Sequence, residues 1–454
     1  MGNVVLVTHW LDGDVIPFVR VGKELKERGH HVTLITHCHF EKMAREAGIA
    51  FEPLDTPKEY QELVDSMNGD MVERESELDE VAKEKKKEFD RKHESFEVRM
   101  KEYNKILKCC DAKDTVVLCK NRSSIAAYMV AEKLHLPLAQ VMMNPTEILS
   151  SLAYDKLYPT KEVPLCNRLR QEVGLPPITT WLQWESSSKM TLAFWPEWYE
   201  KPNENWPRPV EAVGFPIEEG KEHVKREIPE EVKKWLAENE KPLLISGGTT
   251  KLINPLFYPL SLEACEILQR PTIVLTKYPE LLPDKLPKNA IWCDFLPLDE
   301  VMPYLGAIIH HGGMGTLSGA LRAGVPQMIL PCYVDRPYNA ALIKELGVGD
   351  FLHAIKWDAP SIAKATESLL HSSVREKCKN YSQKMRENRG ISNTADKVEE
   401  MMNSTTYIYE LQTLEQGEIK ENTAVQKIER LSEQRKKELL SYLVKRRGEN
   451  NGGN

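Results

Sequence analysis

The clearest signal of the fold lies in VVLVTHWLDGDVIPFVRVGKELKERGHHVTLIT, residues 4–36. It begins with a continuous apolar run, Val4–Val7, which is typical of a strand buried on both faces. Apolar residues at helical spacing follow over Ile16–Arg28, and Gly29 supplies a helix stop. A second apolar run, His31–Thr36, predicts another strand. A strand, a helix and a strand in this order form a right-handed parallel unit.

The same alternation returns after the middle of the chain. Short apolar runs are separated there by helical patterns such as Pro255–Gln269 and Thr316–Ala323. The predicted strands of this half are Leu243–Ser246, Thr272–Thr276, Ala290–Cys293, Ala307–His310 and Gln327–Leu330. The predicted fold class is therefore α/β, with two Rossmann-like, doubly wound parallel-sheet domains and a C-terminal helical tail.

Changes in composition set the predicted domain boundaries. The first domain covers residues 1–204 and contains a charged helical insertion at 66–105. This insertion is interpreted as a solvated surface helix, with a lid over a binding site as the alternative. Proline-rich residues 205–220 form the predicted linker, and the second domain covers 221–402. The tail, 403–454, shows the pattern of two amphipathic helices.

Composition and charge exclude several classes of protein. The chain has 454 residues and a net charge of −7, and its Lys and Arg are interspersed with Asp and Glu, which argues against a nucleic-acid partner. No apolar run approaches the roughly 20 residues that cross a bilayer, so no transmembrane segment is expected. The nine scattered cysteines show no C-x-x-C spacing, which is typical of a reduced, cytoplasmic protein.

An acidic residue lies where the first predicted strand passes into its helix. Ligands of parallel sheets bind beyond the carboxyl ends of the strands, so the loop Thr8–Asp14 is a candidate site. Asp14 is either a residue of this ligand site or simply the N-cap of a helix that starts at Val15. A third alternative is a metal site at Asp12 and Asp14, but that site belongs to a fold with a different strand order. No metal is predicted.

The strongest chemical signal is AIIHHGGMGTLSGALRAGVPQMILP, residues 307–331. A buried strand ends at His310 and His311, and Thr316 opens a helix. The glycines between them are Gly312, Gly313 and Gly315. Backbone N–H groups and the positive end of a helix suit a diphosphate, and a tight turn without a ligand is the alternative. The spacing fits neither G-x-G-x-x-G nor a nucleotide-triphosphate loop.

Two motifs carry a resemblance to a known family. HHGGMGTLSGALRAGVPQMILPCYVDRPYNA, residues 310–340, resembles the donor signature of inverting nucleotide-sugar glycosyltransferases of the GT-B fold. GDVIPFVRVGKELKERGHHVTLIT, residues 13–36, is similar to the branch with sterol and glycopeptide-antibiotic glycosyltransferases, in which Gly-Asp-Val-x-Pro replaces Gly-His. The resemblance covers roughly residues 3–400. It implies two facing domains, a last helix that returns to the first domain, and a hexosyltransferase that needs no cofactor.

The resemblance implies roles for residues of both motifs. Asp14 would be the general base that takes the proton of the acceptor hydroxyl. The donor is a UDP-sugar or dTDP-sugar, whose departing β-phosphate would be stabilised by the amides of Gly315 and Thr316, the Thr316 hydroxyl and the His311 side chain. A buried structural histidine is the alternative for His311.

Four further donor contacts are implied. Asp335 matches the residue that holds sugar hydroxyls in the family, whereas Arg336 replaces the family's Gln. Three roles stay open for Arg336: it binds a different sugar hydroxyl, it binds a carboxylated sugar, or it turns away and forms a salt bridge. Thr249, or the threonine after it, would replace the phosphate-binding serine, with a plain turn as the alternative. Leu296 lies in the loop CDFLPLDEV, residues 293–301, where the nucleotide base is expected.

The resemblance implies that loops of the first domain, somewhere in residues 60–160, determine which acceptor binds. The apolar segment after the predicted strand Leu138–Met142 favours a lipophilic small molecule, such as a polyketide or peptide natural product, with core packing as the alternative. The tail resembles docking helices of polyketide and nonribosomal peptide synthases, which makes such a synthase a predicted partner. A packing or self-association element is its alternative. For the whole chain the alternatives are a catalytically idle adaptor and a nucleotide-sugar epimerase.

Overall fold

The computed structural model describes residues 1–73, 88–110, 114–148, 162–203, 206, 209–218, 227–251, 253–332, 335–402 and 407–409. The chain divides into two units, residues 1–218 with 389–454, and residues 219–388. Among the described helices, none is both long enough and apolar enough to span a membrane.

The first unit is built on a seven-stranded parallel sheet. Its strands are β1 (Asn3–Val7), β2 (His31–Thr36), β3 (Ala50–Pro53), β4 (Thr115–Lys120), β5 (Leu138–Met142), β6 (Met190–Ala193) and β7 (Glu211–Ala212). Their spatial order is β3-β2-β1-β4-β5-β6-β7. The order reverses at β1, which pairs with both β2 and β4. The loops after β1 and β4 therefore flank the switch point where such sheets bind ligands.

The helices of this unit cover both faces of its sheet. They are α1 (Asp12–Glu27), α2 (Glu41–Glu46), α3 (Pro57–Glu73), α4 (Phe96–Cys109), α5 (Ile125–Leu134), α6 (Glu162–Glu172) and α7 (Trp181–Glu185). Helix α1 buries Val15, Phe18 and Leu25 in the same core as Leu6 of β1. Gly22 lies on this buried face, and a Cβ added there would be 2.9 Å from Leu6 Cδ1. The missing side chain therefore lets the helix lie close to the sheet.

The charged insertion differs from its prediction. Helix α4 is anchored by Ser95, whose hydroxyl accepts a hydrogen bond from the Val98 N–H. Arg99 and Glu102 on this helix are each only 4% exposed, and Ile106 is fully buried. The interpretation of 66–105 as a solvated surface helix is therefore wrong for one face of α4, where Arg99 and Glu102 pair with each other inside the unit, whereas Glu97 and Lys101 on the other face are exposed. Residues 74–87 of the insertion lie outside the described part.

The second unit contains a six-stranded parallel sheet. Its strands are β8 (Leu243–Ser246), β9 (Thr272–Leu275), β10 (Ala290–Cys293), β11 (Ala307–His310), β12 (Gln327–Ile329) and β13 (Gly349–Phe351), in the spatial order β10-β9-β8-β11-β12-β13. Its helices are α8 (Glu230–Glu238), α9 (Phe257–Ile267), α10 (Leu298–Val301), α11 (Met314–Ala323), α12 (Arg336–Leu346), α13 (Ala359–Leu369) and α14 (Ser372–Arg386). The predicted class, two Rossmann-like parallel-sheet domains, is confirmed.

The last helix, α15 (Gly390–Met402), returns to the first unit. Ala395 and Val398 are buried in the core that α1 covers, and Arg28 Nη1 contacts Asp396 Oδ1 at 2.6 Å. The sequence-based division continued the second domain to residue 402. The apolar face of this helix instead packs against α1 in the first unit.

Strand β7 and the start of the tail also differ from the predicted organisation. Glu211 and Ala212 fall inside the predicted linker, 205–220, yet they pair with β6 as the seventh strand. Tyr407 N–H donates to the His135 carbonyl at 3.2 Å, and Tyr409 OH donates to the Leu136 carbonyl at 2.8 Å. The chain after α15 is thus attached to the loop before β5. The predicted tail helices beyond residue 409 lie outside the described residues.

A substitution at Gly390 tests the attachment of α15. A Cβ at this position would be 2.2 Å from the Phe215 carbonyl oxygen, and a backbone atom cannot rotate away. We expect Gly390→Ala to lower the free energy of unfolding by about 1 to 3 kcal/mol, seen as a lower midpoint in urea unfolding. Gly13→Ala is the control, because nothing lies within 4 Å of a Cβ there. Equal midpoints for Gly390→Ala and the wild-type chain would contradict the described packing.

Candidate functional site

The end of β1 presents an unusual backbone conformation. Trp10 has φ 81°, in the left-handed region that non-glycine residues adopt rarely and at a cost. Its ring stacks on Phe89 with centroids 6.2 Å apart. Residue Leu11 then serves as the N-cap of α1, with no side-chain capping bond. The predicted helix start was therefore late, since α1 begins at Asp12.

Asp14 does not cap this helix. It is the third residue of α1, and its own N–H bonds to the Leu11 carbonyl at 2.9 Å. The N-cap alternative is therefore wrong. Its carboxylate instead contacts the ammonium group of Lys120, with 2.6 Å between Lys120 Nζ and Asp14 Oδ1. The Asp14 side chain is 27% exposed, so it is open to a ligand at the carboxyl edge of the sheet.

A second carboxylate lies in the same electrostatic environment. Glu147 Oε2 accepts a hydrogen bond from the Met143 N–H at 2.8 Å. Burial raises the pKa of Glu147 to about 7, although Lys120 opposes this effect, and the negative charge of Asp14 adds to it. Sequence reasoning missed both Lys120 and Glu147. The sequence signal for Lys120 was its position at the end of the buried run TVVLCK, which forms β4 and pairs with β1.

The raised pKa of Glu147 predicts a pH-dependent stability. The folded chain holds this proton more tightly than the unfolded chain, whose carboxyl has a pKa of 4.5, so the free energy of unfolding falls as the pH rises from 4.5 to about 7. We expect Glu147→Gln to remove this loss and to be more stable than the wild-type chain at pH 8 by about 1 to 3 kcal/mol. Urea unfolding at pH 5 and pH 8 measures the difference. Glu46→Gln, at an exposed position, should leave the pH dependence unchanged, and an unchanged dependence in Glu147→Gln would contradict the assignment.

The glycine-rich turn forms the open end of a helix in the second unit. Gly312 has φ 96° after β11, a conformation that suits glycine. Gly313 is the N-cap, and α11 begins at Met314, two residues before the predicted start. The first helical bond joins Leu317 N–H to the Gly313 carbonyl at 3.0 Å. The amides of Gly315 and Thr316 therefore precede the intrahelical bonds and lie at the positive end of the helix.

The two histidines before this turn have different roles. His310 Nδ1 accepts the Gly312 N–H at 3.1 Å, so its proton lies on Nε2, which donates to Gln327 Oε1 at 3.0 Å. Burial lowers the pKa of His310 to about 4. His310 is thus a neutral residue that holds the turn in place.

The ring of His311 lies between two glycines. A Cβ added to Gly248 or Gly313 would come within 2.9 Å or 2.5 Å of His311 Nε2, so both positions need glycine. Burial is the main cause that holds the pKa of His311 well below its ordinary value, and the charge of Arg336 acts in the same direction. The ring is therefore neutral and donates a single hydrogen bond.

Asp335 is tied to the glycine-rich turn through a buried amide. Asn339 Nδ2 donates to Asp335 Oδ2 at 2.7 Å and to the Gly312 carbonyl at 3.1 Å. Asn339 itself is fully buried. Arg336 is 9% exposed, and a Cβ on Gly312 would lie 3.2 Å from its Cβ. The structure thus brings His311, Asp335 and Arg336 together around one turn.

Thr249 and Leu296 differ in their fit to the predicted donor site. Thr249 is exposed and follows Gly248, which contacts His311, so its hydroxyl is accessible. Leu296 is only 4% exposed and packs in the core with Val301. The side chain of Leu296 is therefore turned into the core, and its contact with the nucleotide stays a prediction. Phe295, which precedes it, is 50% exposed.

Comparison with known proteins gives two family matches. Residues 12–147 match the model of the glycosyltransferase family 28 N-terminal domain. Residues 272–402 match the model of the erythromycin biosynthesis protein CIII-like C-terminal domain. The first match includes strands β2 to β5, the second includes strands β9 to β13, and each contains one of the two motifs.

Individual relatives agree with these matches. The sterol 3-beta-glucosyltransferase UGT80A2 of Arabidopsis thaliana is 25% identical over 86% of this chain. The chain spans 64% of that relative's length. It spans about a third of the length of another relative, the sterol 3-beta-glucosyltransferase of Saccharomyces cerevisiae. Two solved structures are similar in fold. The kitacinnamycin glycosyltransferase has a TM-score of 0.66 and 18% identity, and covers 88% of this chain and 99% of its own. Glycosyltransferase VinC in complex with dTDP has a TM-score of 0.62 and 16% identity, with the same coverage.

The two parallel sheets, the two family matches and the similar solved structures all point to one assignment. Residues 12–147 are similar to a family 28-type N-terminal domain, residues 272–402 are similar to an erythromycin CIII-like C-terminal domain, and the chain has the GT-B fold of the similar solved glycosyltransferases.

Proposed function

We propose that this protein is an inverting glycosyltransferase that moves a sugar from a UDP-sugar or a dTDP-sugar to a hydroxyl group of a lipophilic small molecule. The observation that carries the proposal is the bond pattern of Asn339, which joins Asp335 to Gly312. It holds a carboxylate suited to sugar hydroxyls beside amides suited to a diphosphate. VinC, a fold relative, binds dTDP, and the matched UGT80A2 is a sterol glucosyltransferase.

The second unit supports the departure of the diphosphate. When the bond between the anomeric carbon and the β-phosphate oxygen breaks, negative charge collects on that phosphate. The amides of Gly315 and Thr316 at the open end of α11 are preorganised donors for it, as is the Thr316 hydroxyl. The His311 ring lies against Gly313 of the same turn and is a further proposed contact of the phosphate. These groups would stabilise the leaving group without a metal ion.

The nucleotide base is proposed to stack on Phe295. This ring is half exposed and lies in the loop after β10, whereas the side chain of Leu296 is committed to the core. An aromatic ring presents a flat apolar face to a pyrimidine base. The ring of Phe295 therefore replaces Leu296 as the proposed base contact.

The first unit supports the proton transfer. The acceptor oxygen attacks the anomeric carbon on the side opposite the diphosphate, which inverts its configuration. The acceptor proton passes to the carboxylate of Asp14, which is exposed at the carboxyl edge of β1. Lys120 keeps this carboxylate in one orientation through their 2.6 Å contact.

The proposal is tested by product analysis. The full chain is incubated with UDP-glucose or dTDP-glucose and with cholesterol or a macrolide aglycone, and the product is examined by proton NMR. From these α-linked donors we expect a β-glycoside, and transfer in excess EDTA within about twofold of the untreated rate. An α-linked product, an altered free nucleotide sugar without transfer, or the absence of transfer to every acceptor would each contradict the proposed function.

A further inference from the structure

A second histidine and carboxylate pair lies at the carboxyl edge of the first sheet. His37 follows β2 and Asp55 follows β3, and these strands are neighbours. His37 Nδ1 and Asp55 Oδ2 are 2.6 Å apart. Asp55 Oδ1 accepts the Cys38 N–H at 2.8 Å, so both carboxylate oxygens have a defined partner. The pair is separate from Asp14, which is held by Lys120.

The partners of Asp55 determine which nitrogen of the His37 ring carries the hydrogen. Burial acts to raise the pKa of Asp55, but the hydrogen bonds from His37 and Cys38 outweigh it and lower the pKa below its ordinary value. An ionised carboxylate only accepts hydrogen bonds, so Nδ1 of His37 carries the hydrogen. In the neutral ring, Nε2 then has a free lone pair and accepts a hydrogen bond.

The remaining ring nitrogen, Nε2 of His37, is buried. His37 is only 8% exposed, and its Nε2 has no hydrogen-bond partner among the residues that the structure describes. A buried polar atom without a partner costs about 1 to 3 kcal/mol. The atom therefore favours a ligand group that donates a hydrogen bond.

Aromatic rings continue from His37 toward the loop after β1. The His37 ring is 5.3 Å from Tyr60 and 6.1 Å from His9, measured between centroids. His9 is 6.2 Å from Trp10, which stacks on Phe89. These rings lie at the same edge of the sheet as Asp14. His9 and His37 are buried, and the partly exposed rings of Tyr60, Trp10 and Phe89 offer apolar faces to a flat ring system.

We propose that His37 selects the acceptor by accepting a hydrogen bond, at Nε2, from a second hydroxyl group of a polycyclic alcohol. The inference rests on the proposed function, because it specifies the acceptor of the same transfer reaction. It assigns to Asp55 the role of a positioning residue that keeps Nε2 an acceptor. A ketone in place of that second hydroxyl has no hydrogen to donate, so it is the poorer substrate.

Two variants and one matched control separate this role from a structural one. His37→Phe keeps a ring but removes the acceptor atom. Asp55→Asn is expected to reverse the polarity, because its oxygen remains bonded to the Cys38 N–H and its NH2 group then donates to His37 Nδ1. This moves the ring hydrogen to Nε2. His39→Phe is the control, since His39 is exposed and stacks on the same Tyr60 at 5.0 Å.

The experiment compares kcat/KM for acceptor pairs that differ only in an alcohol or a ketone, namely 17β-estradiol with estrone, and 5α-androstane-3β,17β-diol with 3β-hydroxy-5α-androstan-17-one. In at least one pair the wild-type chain and His39→Phe should prefer the alcohol by about 10-fold. His37→Phe should reduce this ratio to within about twofold of unity, and Asp55→Asn should favour the ketone. Urea unfolding midpoints check that each variant is folded in the first unit, to which these residues belong.

The same ratio in the wild-type chain and in His37→Phe, for both pairs, would overturn the inference. If Asp14→Asn abolishes transfer while His37→Phe leaves the ratio unchanged, only this inference fails. If Asp14→Asn transfers sugar at the wild-type rate, the proposed base fails instead, whatever the ratio.

Discussion

Asp14→Asn is expected to slow sugar transfer by about 100- to 10,000-fold, which corresponds to roughly 3 to 5 kcal/mol of activation free energy. The amide keeps the size and the position of the side chain in the first turn of α1, but it cannot take up the acceptor proton. The donor is bound by residues of the second unit in the proposed mechanism. The dissociation constant of the donor should therefore be unchanged in calorimetric titration, while kcat falls.

Asp12→Asn is the matched control for this variant. Asp12 lies in the same first turn of α1 and has the same favourable interaction with the positive helix end. Losing that interaction costs less than about 1 kcal/mol. A similar loss of kcat in both variants would mean that helix stability, and not proton transfer, explains the effect of Asp14.

Gly315→Pro is expected to lower the transfer rate by about 100- to 1,000-fold, because it removes one of the amide donors proposed for the leaving phosphate. The substitution is compatible with the fold. Nothing lies within 4 Å of a Cβ at Gly315. The second helical position already holds a proline in α12 and in α13, at Pro337 and Pro360.

Gly315→Ala is the control for that variant, since it adds a Cβ in open space and keeps the N–H. Steady-state transfer assays and donor titration measure both variants. We expect Gly315→Ala to stay within about threefold of the wild-type rate and Gly315→Pro to weaken donor binding as well. If the proline variant retains the wild-type rate, the phosphate is not held at this end of α11.

The elements that the sequence predicted well are those with a strong local pattern. The run Val4–Val7 and the spacing of buried residues in α1 gave a strand and a helix close to their observed positions. Strand β7 was missed because it has only two residues and depends on pairing with β6. The start of α1 was misplaced because its N-cap, Leu11, makes no side-chain cap, so no local signal marks it.

The candidate site was predictable only where one motif contains it. The glycine-rich turn and Asp335 could be found because both lie in one contiguous stretch, and Asn339 joins them in the structure. Lys120 and the pair of His37 with Asp55 could not, because strand order brings these residues together over long separations. The burial of Leu296 could not be predicted, since a loop without periodicity does not indicate which side chain is buried.

Proton transfer to Asp14 is tested by measuring the chemical step alone. Wild-type protein and Asp14→Asn are saturated with the donor, mixed with acceptor in a rapid-quench apparatus, and followed over a single turnover. We expect a rate constant about 100- to 10,000-fold lower for the variant, with an unchanged dissociation constant for the donor. Equal single-turnover rate constants for the two proteins would contradict it.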